Sequence, residues 1–84
     1  MSVNTINVGL LGLGRIGASF GLALRRYSER KEARQQFQCV GYDPRQALAE
    51  TAQTRGAVMR TMRSAYDVCQ GTDFVILALP YAEV

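Results

Sequence analysis

Three glycines, Gly12, Gly14 and Gly17, follow directly on an apolar run from Ile6 to Leu11 and open a segment whose apolar residues recur at helical spacing. No other stretch constrains the fold as tightly, because a strand, a glycine turn and a helix must meet within a dozen residues. Gly12 lets the chain reverse sharply, Gly14 keeps a Cβ out of the way of an approaching diphosphate, and Gly17 lets the helix lie close on the strand. The amides of Arg15, Ile16 and Gly17 then fall in the first helical turn, where N–H groups have no intrahelical partner and the helix dipole favours an anion. A G-x-G-x-x-G spacing alone also occurs in ordinary turns, and glycine makes up 8 of the 84 residues. The apolar strand before it, the helix after it and an acid further on are what make it a dinucleotide-binding turn.

The rest of the chain alternates in the same way. A first helix starts at Gly14 or Arg15 and carries Ile16, Phe20, Ala23, Leu24 and Tyr27 on one stripe, with Gly17 and Gly21 on a neighbouring face. The basic segment after it extends this helix to about Arg34. A second strand, Gln38 to Tyr42, ends at Asp43, and a second helix runs from Pro44 to about Arg55 with Leu48 and Ala52 inward and Gly56 as its C-cap. Ala57 to Met59 reads as a short third strand. Ser64 with Asp67 three residues on caps a short helix to Gln70, closed by Gly71. Asp73 to Pro80 is the most apolar run and reads as a buried fourth strand. Right-handed crossovers order the strands 3-2-1-4, which makes the fold class α/β, a partial Rossmann-like doubly wound parallel sheet in three αβα layers. The crevice between strands one and four, bounded by Gly12 to Gly17 and by Leu79-Pro80-Tyr81, is the topological switch point where a ligand binds.

Asp43 lies 26 positions beyond Gly17, against a usual spacing of ~20. An acid at the end of the second strand can accept from both adenosine ribose hydroxyls and repels a 2′-phosphate, so the expected cofactor is NAD, with NADP the less favoured one. Pro44 directly after it also makes Asp43 a helix N-cap with Pro at N1. Arg45 points the other way, since a guanidinium there could hold a 2′-phosphate.

Composition narrows the function classes. A chain of 84 residues makes one small domain, read here as a nucleotide-binding domain over 1–84 that is itself the N-terminal part of a larger unit. No apolar run approaches the ~20 residues that span a bilayer, and the N-terminus lacks a basic segment and an apolar core, so a cytoplasmic protein with no membrane partner is expected. The net charge of +3 comes from Arg25, Arg26, Arg30, Lys31 and Arg34, interleaved with Glu29 and Glu32, which reads as a solvated helix end and not as a nucleic-acid surface. Cys39 and Cys69 stand 30 positions apart without a C-x-x-C or a histidine, so they read as small hydrophobes and no metal is expected. The chain has no histidine at all and so lacks the commonest general base.

Gly12-Leu13-Gly14-Arg15-Ile16-Gly17-Ala18-Ser19, then Val40-Gly41-Tyr42-Asp43, then Thr72 to Pro80 resemble the N-terminal half of a prephenate dehydrogenase. The resemblance implies oxidative decarboxylation of prephenate or arogenate with NAD(P) in tyrosine biosynthesis, by a homodimer whose catalytic residues come later in the chain. It implies Gly12, Gly14 and Gly17 around the pyrophosphate with amides from Arg15 and Ile16, Asp43 on the adenosine ribose, and Leu79 and Pro80 beside the nicotinamide ribose. Arg15 and the long charged insertion before the second strand depart from that family. Arg15 and the Asp43-Pro44 pair are also similar to D-2-hydroxyacid dehydrogenases, the alternative family.

No catalytic residue is assigned, since Ser19 and Tyr81 have no base near them in the sequence. A non-enzymatic nucleotide-binding module is the reading from a different class. A chain that stops after strand four would leave an apolar edge and would pair edge to edge.

Overall fold

The computed structural model describes residues 4–78. Its elements alternate as β1 (Asn4–Leu11), α1 (Arg15–Ser28), β2 (Gln35–Tyr42), α2 (Gln46–Arg55), β3 (Arg60–Thr61), α3 (Ala65–Cys69) and β4 (Phe74–Leu77). The four strands are parallel in the order β3-β2-β1-β4, as the crossover rule requires for this element order. Successive residues of β1 point to opposite faces. A Cβ on Gly9 would run into Val68 of α3, whereas Leu10 meets the helix α1 at Gly21, so α1 and α3 cover opposite faces of the sheet. The core is small: Val8, Leu10, Leu13, Cys39, Ala52, Ala57 and Val58 are buried around the central strands. The fold is therefore a partial Rossmann-like α/β sheet.

The helix α1 stops at Ser28, six residues before the expected end at Arg34. Two forces end it. Continuing would have stacked Arg26, Arg30 and Arg34 at i, i+4 spacing, a like-charge row that destabilises a helix. Ser28 Oγ also turns back to donate to the Leu24 carbonyl at 2.8 Å and accepts the Phe37 amide at 2.8 Å, fastening the helix end to β2. The buried face of α1 is likewise not the expected stripe. Gly17 and Gly21 are buried, while Ile16 is 73% and Phe20 45% exposed. The helix sits so close that a side chain at 21 would strike the Ala57 carbonyl, and a contact of that kind is open only to glycine.

The other boundaries shift for local reasons. The N-cap of α2 is Arg45, not Asp43, because the Asp43 carboxylate takes the Arg45 amide and delays the first helical turn. Ala49 and Ala52 are its buried residues, with Leu48 half-buried. Gly56 closes it in the left-handed region at φ 86°. The third strand lies at Arg60–Thr61 and not at Ala57 to Met59, since Ala57 and Val58 turn inward into the core. Met59 N–H to Cys39 O at 2.8 Å and Met62 N–H to Gly41 O at 2.7 Å flank its short ladder with β2. Ser64 caps α3 by accepting the Asp67 amide at 3.1 Å, as its S-x-x-D spacing predicts. Asp73 fixes where β4 begins: its amide donates to Asn7 O at 2.7 Å and its carboxylate accepts the Asn7 amide at 2.8 Å. The expectation that β4 is buried does not hold among the described residues. Phe74 is 61% and Leu77 70% exposed, because among the described elements β4 packs mainly on β1 beside it and no helix covers these side chains on the faces of the sheet. No helix among the described residues is long and apolar enough to cross a membrane.

Candidate functional site

The corner between β1 and α1 is built by two glycines. Gly12 holds φ 105°, a left-handed turn that reverses the chain directly after the strand, and its amide donates to Tyr42 O at 2.9 Å. Gly17 faces back onto it: a Cβ there would run into the Gly12 carbonyl and would stand 3.3 Å from the Ala78 Cβ. The turn, the first turn of α1 and the end of β4 thus meet at one point, where Ala78 N–H also donates to Leu11 O at 2.8 Å. Gly14 has a different surrounding. It is the N-cap of α1 with φ −73°, and the nearest atom to a Cβ on it would be Arg45 Nη2 at 3.8 Å. The space before the helix is open there.

Among the described residues, the amides of Gly14, Arg15, Ile16 and Gly17 make no hydrogen bond, whereas the first amide to close the turn of α1, that of Ala18, donates to Gly14 O at 2.9 Å. No acidic residue lies in that turn. Four N–H groups at the positive end of a 14-residue helix form a ready seat for an anion. Arg15 and Ile16 contribute main chain, since both side chains are exposed.

Asp43 is brought to the same corner from the end of β2, and it is buried to 5% of its surface. Its Oδ2 accepts the Leu13 amide at 2.8 Å and Arg45 Nη2 at 2.9 Å, while Oδ1 accepts the Arg45 amide at 2.8 Å and Arg45 Nε at 2.9 Å. Burial raises its pKa, but the bonds from the Arg45 side chain and from the Leu13 and Arg45 amides outweigh it and hold the carboxyl below its ordinary 3.8. The Arg45 side chain is 42% exposed, so its guanidinium spans from this buried acid to the surface beside the glycine turn. A cavity of about 430 Å³ opens next to the pair, lined by Tyr42, Asp43, Pro44, Thr61, Met62 and Arg63 among others.

The structure therefore brings Gly12, Gly14, Arg15, Ile16, Gly17, Asp43 and Arg45 to one corner at the carboxyl ends of β1 and β2. Leu79 and Pro80 lie outside the described residues. Leu13 is the participant that the residue pattern did not single out. It is 2% exposed, its side chain would touch a Cβ on Gly41 at 2.8 Å, and its amide is the one that Asp43 receives. A central apolar residue between two glycines was the available signal.

Comparison with protein families matches residues 7–84 to the family described as NADP oxidoreductase coenzyme F420-dependent. That span takes in the glycine turn, Asp43, Arg45 and β4. Comparison with curated proteins returns no match.

Proposed function

The chain belongs to that NADP oxidoreductase family, and from this premise we propose that it forms the nucleotide-binding part of an oxidoreductase that takes NADP in preference to NAD. Main-chain amides of Gly14, Arg15, Ile16 and Gly17 receive the diphosphate, and the unbonded state of those amides is the observation that carries the reading. Gly12 and Gly17 keep the turn tight, and Gly14 leaves room for the approach. Leu79 and Pro80, which follow Ala78 in the chain and lie outside the described residues, are assigned to the nicotinamide ribose by the resemblance in sequence alone. When bound, the nicotinamide would supply hydride acceptor or donor chemistry.

The preference for NADP turns on Arg45. A sequence with an acid after its second strand predicts NAD because an open carboxylate repels a 2′-phosphate. Here the Asp43 charge is matched by a guanidinium that contacts it through two nitrogens and extends to the surface. A planar cation of that kind suits a phosphate. The family description supplies coenzyme F420 as the partner in hydride exchange. A prephenate or arogenate dehydrogenase is the second reading, and it rests on the resemblance in sequence of the glycine turn, Val40-Gly41-Tyr42-Asp43 and Thr72 to Pro80 alone.

Titrating the chain with NADPH and with NADH, following nicotinamide fluorescence, tests the proposal. Saturable binding is expected for both, at least tenfold tighter for NADPH. A folded chain that binds neither into the millimolar range overturns the nucleotide reading, and equal or tighter binding of NADH overturns the preference.

A further inference from the structure

The structure assigns Asp43 a positioning role in this site: its buried carboxylate does not receive the adenosine ribose but holds the glycine turn through the Leu13 amide and pins the Arg45 guanidinium beside Gly14. This deepens the nucleotide-binding reading above and rests on it.

The argument is one of acceptor capacity. An ionised carboxylate offers about four lone-pair sites. Asp43 already accepts four hydrogen bonds, two at each oxygen, all between 2.8 and 2.9 Å. Its side chain has no exposed surface. A ribose hydroxyl can reach it only by displacing the Arg45 guanidinium or a main-chain amide, and the new bond to the same oxygen does not offset a guanidinium or buried amide left without its partner. Among the described residues no buried side-chain oxygen or nitrogen is left without a partner, so the cluster is complete as it stands.

The same bonds explain what the acid does for the site. The Leu13 amide belongs to the peptide that joins Leu13 to Gly12, with its left-handed φ of 105°, one residue before the N-cap Gly14. Anchoring that peptide across to β2 sets the direction in which the following four amides leave the turn. The Leu13 side chain, wedged over Gly41, braces the peptide from the other side. Through Arg45 the same carboxylate fixes a cation 3.8 Å from where a Gly14 side chain would begin. The depressed pKa of Asp43 agrees with a carboxylate kept charged for these donors.

Adenosine diphosphate and 2′,3′-dideoxyadenosine diphosphate separate the two roles, since the second lacks both ribose hydroxyls. Calorimetric titration of the wild-type chain at pH 7 is expected to give affinities within about twofold of each other. A tenfold or greater weakening for the dideoxy compound makes Asp43 a ribose ligand and overturns the assignment. In Asp43→Asn both nucleotides are expected to weaken by the same factor of fivefold or more, with the Leu13 amide resonance shifted and its hydrogen exchange accelerated. A loss confined to the nucleotide that carries the hydroxyls, or an unchanged Leu13 amide, also overturns it. If Asp43→Asn does not fold, the wild-type comparison decides alone. Absence of binding by both nucleotides overturns the nucleotide reading together with this one, whereas unequal binding overturns only the role of Asp43.

Discussion

Gly17 faces the carbonyl of Gly12 so closely that a Cβ at 17 would overlap it. Gly17 lies five positions after Gly12 in the chain, and the anion seat runs from Gly14 to Gly17 itself. The helix can start within reach of the strand only because neither residue carries a side chain there.

Gly17→Ala should therefore be felt in the fold and in binding together. The new methyl must push α1 off the turn or open the turn itself, a strain of about 1–3 kcal/mol in a packed site. Urea unfolding should show that loss, and titration with NADPH should show affinity reduced at least tenfold.

Gly14→Ala should separate the two effects. The residue already has φ −73° and faces open space, so alanine meets no clash. Stability is expected to change by less than about 1 kcal/mol, the usual scale for an N-cap glycine replaced by alanine. A methyl at the mouth of the seat should still weaken NADPH at least tenfold, measured on the same preparation as the unfolding curve.

The Asp43 cluster predicts an acid-sensitive term. Because the folded pKa lies below the ordinary 3.8, the cluster contributes its full stability above that value and loses it as pH falls through the folded pKa. Asparagine removes the charge and one acceptor oxygen from this cluster, and because Arg45 is 42% exposed and can turn to solvent the cost is about 1–3 kcal/mol. Wild type and Asp43→Asn should differ by that order in urea unfolding at pH 7, and the gap should narrow as pH falls below 3.8. A gap that stays constant over this range would argue that the charge on Asp43 contributes nothing.

The two cysteines should react at very different rates. Cys69 is exposed, whereas Cys39 lies in the core and burial raises its thiol above the ordinary 9.0. A thiolate-selective reagent at pH 8 is expected to modify one thiol quickly and the second only on unfolding. Mass analysis of the first adduct should place it at residue 69.

The order of elements, the parallel sheet 3-2-1-4 and the glycine corner were legible in the residues, because each depends on local signals: apolar runs, a glycine spacing and an S-x-x-D cap. The Ser64 cap and the Gly56 terminus lie where their chemistry puts them. Periodicity did not reveal which of two adjacent faces of α1 is buried. An apolar stripe at 16, 20 and 27 is as regular as the glycine face, and only the approach of the helix to Ala57 selects the second.

By itself the sequence determined that a strand, a bare turn and a helix meet at one corner, since glycine spacing and hydrophobic period act within a few residues of chain. Only the tertiary structure decided what Asp43 does there. Whether its oxygens stand open or already taken depends on Leu13, 30 positions away, and on the path Arg45 takes over the turn. A carboxylate can accept a limited number of hydrogen bonds, and which donors fill it is a property of the packed fold.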